Sequence, residues 1–130
     1  MPLLQLTLGR ILPDGLAQRL ADLVGEALGI PASRVMLTVT QALVHLDGIR
    51  PPAVLADLST ARTPSPEAAR ELARSLADTL SEALGTPTSR IYVRILAQPP
   101  SALWRIEDGA ALHAGEPTAG STSSTRNPQP

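Results

Sequence analysis

Proline stands directly behind the initiator methionine in the opening MPLLQL. Aminopeptidases remove an initiator readily when the next side chain is small, and proline qualifies. The mature chain would then begin at Pro2 with a secondary amine held in a ring, a base at a fixed position. A base works best when its pKa lies near the operating pH. Burial and neighbouring cations both disfavour the charged form of an amine. A neutral Pro2 could take a proton from the carbon beside a carbonyl and return it elsewhere, which is a tautomerisation. A protonated Pro2 could polarise a carbonyl or donate a proton, which opens decarboxylation or hydration. The Tyr92 phenol could donate a hydrogen bond to a developing enolate. Arg94, between Val93 and Ile95, could hold a substrate carboxylate in bidentate fashion. Met-Pro starts are common, however, and a start residue with no chemistry is the plain alternative.

The elements that would position these residues come in two copies. ADLVGEALGIPASRVMLTV (21–39) lines up without gaps against ADTLSEALGTPTSRIYVRI (77–95). Each copy reads as a helix stopped by glycine (Gly29, Gly85) with proline two residues beyond (Pro31, Pro87). Leu16, Leu20, Leu23, Val24, Ala27 and Leu28 form one helical stripe, and Leu72, Leu76, Leu80 and Leu84 the other. Ser65-Pro66-Glu67 reads as the capped start of the second helix. LLQLTL and RVMLTVTQ flank the first helix as strands; AVLADLS and RIYVRIL flank the second. The fold expected is α+β: a tandem β-α-β repeat forming a four-stranded mixed sheet with both helices on one face. Crossover connections make the strands of each unit parallel. Val35, Leu37, Val39, Ile91, Val93 and Ile95 should face the helices, and Met36, Thr38, Tyr92 and Arg94 the opposite side. A sheet covered on one side only invites an oligomer. The domain spans residues 1–106. Residues 107–130, ending in GEPTAGSTSSTRNPQP, read as a disordered tail.

Composition narrows the function. A chain of 130 residues with 11 basic and 12 acidic side chains has a net charge of −1. It exerts no general pull on nucleic acid or an anionic membrane. Without cysteine there is no disulfide framework or cysteine metal site. The only histidines, His45 in a connector and His113 near the tail, do not make a histidine-rich metal site. LLQLTLGRIL is too short and polar for a signal peptide or a membrane span, so a cytoplasmic protein is expected. Tyr92 and Trp104 are the only aromatics, which leaves an aliphatic core. Trp104 reads as a packing anchor.

The proline, the tandem β-α-β chain and the GxPxSR[VI] junctions together resemble the tautomerase superfamily. MPLLQLTL, GIPASRVMLTVTQ, STARTPSPEAAR and RIYVRILAQPPSALW look most like its malonate semialdehyde decarboxylase and macrophage migration inhibitory factor-like branch. The resemblance runs from Pro2 to about Trp104. It implies a homotrimer with active sites at subunit boundaries, Pro2 as acid/base, a small carboxylic acid as substrate and no cofactor. It also implies that Arg62, after the third strand, holds the substrate carboxylate. Pro64 stands where the decarboxylase-like members have a second arginine. Tyr92 takes the place of a site tyrosine, and Arg94 that of an asparagine. Ile30 corresponds to a site lysine. Arg34, a further substrate-binding candidate, corresponds to the decarboxylase's activating aspartate; its repetition as Arg90 also suits a structural role.

Three functions compete at this stage. One is a proline-dependent tautomerase or related lyase acting on a small 2-oxo or enol acid. A second is a non-catalytic ligand-binding module, since ferredoxin-like regulatory domains also double a β-α-β unit. The third is a family member that kept the assembly and lost the activity.

Overall fold

Both helices stop where glycine and proline punctuate the repeats. The computed structural model describes residues 1–46, 48–99, 102 and 104–113. The first half runs through β1 (Leu3–Leu8), α1 (Leu16–Leu28) and β2 (Met36–Gln41). A short strand β3 (Val44–Leu46) leads into β4 (Ile49–Thr60), α2 (Pro66–Leu84) and β5 (Ile91–Ala97). A hairpin of β6 (Trp104–Glu107) and β7 (Ala110–His113) follows. The residue after α1 is Gly29 at φ 72°, and after α2 Gly85 at φ 69°. A residue without Cβ adopts this left-handed conformation at little cost. Ser65 caps α2 by accepting the Ala68 amide at 3.1 Å, with Pro66 in the first helical position.

β1 pairs with β2 in parallel and with β4 in antiparallel fashion, while β4 and β5 are parallel. The two strands of each β-α-β unit are therefore direct neighbours. A ferredoxin-like sheet splits each unit with an intervening strand, so that alternative is excluded. Leu4, Leu6 and Leu8 of β1 and Val54, Ala56 and Leu58 of β4 meet Leu16, Leu20 and Val24 of α1 and Leu72, Leu76, Leu80 and Leu84 of α2. Strand residues of one parity thus form the core, and both helices lie on one face. Each leucine buried there is worth about 1.5–3 kcal/mol relative to exposure. The other face shows Gln5, Met36, Thr38, Tyr92, Arg94 and Leu96 to solvent.

The fold differs from the expected one in three places. It has five strands, because β4 starts at Ile49 and its first residues fold back on β3, with Val44 opposite Ala53 and Leu46 opposite Ile49. His45 consequently lies in a strand, still exposed. Val39 is 42% exposed rather than facing a helix, since β2 is an edge strand and only Val35 and Leu37 reach the helix layer. Residues 107–113, expected to open the tail, complete the β6–β7 hairpin instead. Asp108 (φ 51°) and Gly109 (φ 80°) supply the pair of left-handed residues that a tight hairpin turn needs. The remainder of the expected tail, 114–130, lies outside the described residues.

Candidate active site

β1 begins beside the C-terminal end of α1, and that places Pro2 in a crowded corner. The Pro2 carbonyl accepts the Met36 amide at 3.0 Å, which extends the β1–β2 ladder to the second residue of the chain. The Pro2 ring is buried. Two clefts meet at this corner and share Met1, Pro2 and Ile30. One, of about 360 Å³, is walled by Leu28 from α1 and by Thr60, Ala61 and Arg62 from the end of β4. The other, also about 360 Å³, is walled by Ser33 and Arg34 from the 3₁₀ turn after α1 and by Arg105 and Glu107 from β6. Each volume lies within the usual range for small-molecule sites.

Local geometry fixes the walls. Thr60 is buried, and its hydroxyl donates to the Arg62 carbonyl at 2.6 Å, holding the turn that carries the arginine. The α1 end is held by the Ile30 amide donating to the Gly25 carbonyl at 2.9 Å. A Cβ on Gly25 would meet the Ile30 carbonyl oxygen at 2.7 Å, so this close approach requires glycine. Arg105 donates to the His113 carbonyl at 3.4 Å and stands 3.9 Å from the Glu107 carboxylate. Trp104 packs edge-on against the His113 ring, centroids 5.5 Å apart, and so anchors the hairpin that bears both charges.

The electrostatics favour a neutral amine. The Met1 amino group is held below its ordinary pKa, first by burial and then by the positive charges of Arg34 and Arg105. Neither Arg34 nor Arg62 makes a side-chain hydrogen bond or an ion pair among the described residues.

The protomer thus brings together Pro2, Arg62 and Arg34, and it does not bring Tyr92 or Arg94 to them. Those two project from β5 on the uncovered face. The Tyr92 hydroxyl donates to the Ser89 carbonyl at 3.3 Å. Arg94 donates to Asp57, its neighbour on β4, which raises the arginine pKa further. Arg105, Glu107 and Thr60 line the clefts without having been picked out in the sequence. The Asp108-Gly109 dipeptide, a strong hairpin signal, would have revealed the element that carries Arg105 and Glu107. Among the described residues no group of three or more His, Cys, Asp or Glu could hold a metal ion. No helix there is long and apolar enough to cross a membrane.

Comparison with known proteins agrees with this architecture. The sequence model of the macrophage migration inhibitory factor family matches residues 1–106. The macrophage migration inhibitory factor of Toxoplasma gondii superposes with a TM-score of 0.73 at 22% identity, covering 85% of this chain and 99% of that one. That of Trichinella spiralis gives 0.72 at 22% identity over 85% and 99%. That of Oncomelania hupensis gives 0.71 at 25% identity over 87% and 83%. A fused 4-OT protein, described as an asymmetric trimer, gives 0.67 at 20% identity over 75% and 87%. A comparison with curated protein sequences finds no match.

Proposed function

The chain belongs to the macrophage migration inhibitory factor family, part of the tautomerase superfamily, and on that premise we propose that it is a proline-dependent tautomerase acting on a small 2-oxo or enol acid. The observation that carries this reading is the corner itself: Pro2 is buried where two clefts meet. Its surroundings hold the adjacent amine below its ordinary pKa. Once Met1 is removed, the Pro2 nitrogen becomes the terminal amine of this same corner, where burial and the same arginines disfavour its charged form.

The reaction uses acid, base and charge alone. Arg62 holds the substrate carboxylate at the mouth of the apolar cleft. The Pro2 nitrogen accepts a proton from the carbon beside the carbonyl, and the electron pair moves onto the carbonyl oxygen as an enolate. Cationic arginines stabilise that charge. The protonated Pro2 then returns the proton to carbon at a second position or to the enolate oxygen, which completes the isomerisation and restores the base. The assembly is a homotrimer with sites at subunit boundaries. In it the uncovered sheet face of a neighbouring copy presents Tyr92 to this corner as the enolate donor. Arg94 lies beside it, ordered by Asp57. The protein works in the cytoplasm.

An ultraviolet assay of enol-to-keto conversion on 2-hydroxy-dienoic and enolpyruvate acids tests the reading, with wild type beside Pro2→Ala and mass spectrometry reporting Met1. Conversion by the trimmed wild type that collapses in the variant supports it. Equal rates in the two proteins overturn it. A second reading, binding without turnover, is favoured by the apolar Ile30 in the wall both clefts share. Saturable binding of the same acids with no conversion would select it.

A further inference from the structure

The end of α2 opens on a cleft that the proline chemistry does not use. It lies at the far end of β1 from Pro2, about 20 Å away at the usual strand rise, and encloses about 290 Å³. Its floor is formed by the buried side chains of Leu8, Val54 and Leu84. Arg10 is the cation on its rim, and no carboxylate lines it among the described residues. A guanidinium carries five N–H donors, of which one serves the Leu84 carbonyl at 2.7 Å. That bond also offsets the partial negative charge at the end of α2, which would otherwise repel an anion.

A second donor comes from a difference between the repeats. After α1 the Ile30 amide donates to the Gly25 carbonyl at 2.9 Å. In that closure a Cβ at Gly25 would stand 2.7 Å from the Ile30 carbonyl oxygen. Ser81, which aligns with Gly25, carries such a Cβ. After α2 the Gly85 amide donates to the Ser81 carbonyl at 2.9 Å, the single-bond form of a helix stop. Thr86, which aligns with Ile30, lines the cleft, and its amide makes no hydrogen bond among the described residues. We propose that the α2 cleft is a binding site without chemistry, taking a short aliphatic monocarboxylate. The carboxylate meets the Arg10 guanidinium and the Thr86 amide, and the tail lies on Leu8, Val54 and Leu84. One cation and no facing acid suit a single negative charge. The apolar floor suits a hydrocarbon tail, so a bare inorganic anion leaves most of the cleft unused. Nothing in this site depends on Pro2 or on removal of Met1.

Amide NMR spectra of the full chain, titrated with hexanoate and with neutral hexanamide, decide the matter. Hexanoate should move the Gly9, Gly85 and Thr86 amides saturably, and hexanamide should do so about tenfold more weakly. Arg10→Gln should weaken hexanoate by about the same factor. Ser81→Gly lets the Thr86 amide close on residue 81 as the Ile30 amide closes on Gly25. It should therefore weaken hexanoate severalfold with Arg10 still in place. If the spectrum of Arg10→Gln shows an unfolded chain, Ser81→Gly decides alone. Saturable shifts confined to the Ile30 and Arg62 amides, or absent altogether, would overturn the proposal. So would equal affinity for the neutral amide, or wild-type affinity in either folded variant. Pro2→Ala and Arg62→Gln should leave hexanoate binding at the α2 cleft unchanged, whatever they do to isomerisation. The α2 site and the tautomerase reading can thus fail separately.

Discussion

At the end of α1 the cleft is lined by Met1, Pro2, Leu28, Ile30, Thr60, Ala61 and Arg62. At the end of α2 a second cleft is lined by Ala53, Val54, Leu84, Thr86, Leu8, Gly9 and Arg10, together with Gly85 and Pro87. These are equivalent positions in the two repeats. Met36 aligns with Tyr92 in the repeat, and their strand partners are Leu3 and Leu55, so Pro2 corresponds to Val54 and Arg62 to Arg10. The backbone frame is the same, yet the two places differ in what they offer. Val54 sits inside a strand with its nitrogen in an amide. Arg10 donates to the Leu84 carbonyl at 2.7 Å and satisfies the end of α2. Arg62 makes no such bond to the end of α1. In one copy of the cleft the arginine closes on the helix end and in the other it does not, and what separates them is a chain terminus and the partner of one arginine.

The largest effect should follow from the chain terminus, which the second repeat lacks. Pro2→Ala should lower kcat/KM by about 10²–10⁴-fold, the usual worth of a positioned general base. Val54→Ala should leave kcat/KM per folded molecule unchanged and lower stability by about 2 kcal/mol. The arginine pair should divide in the same manner. Arg62→Gln should raise KM for a carboxylate about tenfold, the equivalent of one charge-assisted hydrogen bond, with an unchanged denaturation midpoint. Arg10→Gln should cost about 1 kcal/mol in urea denaturation and leave KM alone. If both arginines affect KM, the two clefts are not specialised as described.

The helix ends offer a smaller contrast. Gly25 aligns with Ser81, and a Cβ at Gly25 would press on the Ile30 carbonyl oxygen and on the Ala32 backbone. Gly25→Ser should cost about 1–3 kcal/mol by overpacking and disturb KM, because Ile30 lines the cleft. Ser81→Gly should cost only about 0.5 kcal/mol, a helix-propensity effect, with no change in kinetics. The subtlest effect is in pH. A base mechanism needs the neutral amine, so kcat/KM should rise with pH through the amine pKa. Burial and the arginines hold the Met1 amine of this corner below its ordinary value, and on the proline reading the same groups act on the Pro2 amine. Arg34→Gln removes a cation that disfavours protonation, so the acid limb should move to higher pH. Burial, the larger cause, remains, so the limb should not return all the way.

Much of this frame is visible in the residues. The gapless alignment of 21–39 with 77–95, the Gly-x-Pro stops and the leucine stripes define both helices and the parity of the strands, because helix ends and amphipathic spacing are local properties. The pairing order is not local, and the sequence alone left the ferredoxin-like sheet open. Both hairpins outside the repeat carry an Asp-Gly dipeptide, at 47–48 and 108–109, yet each reads as connector or tail because its strands are short and mixed in polarity. Such a reading leaves Arg105 and Glu107 away from the proline corner. Pro2, Arg62 and Arg34 were found through their types and their resemblance to family positions. The pairing of Arg94 with Asp57 depends on β4–β5 register, which composition does not reveal.

Met1 belongs to the wall of both clefts. On the proline reading, its excision does two things in a single hydrolysis: it frees a nucleophilic nitrogen and empties part of the chamber in front of it. Folding and activation are then separate events. The ribosome delivers a plugged precursor, and a peptidase finishes the enzyme. Specific activity in any preparation becomes a measure of trimming. An affinity tag ahead of Pro2 would hold every molecule in the precursor form, however well it folds.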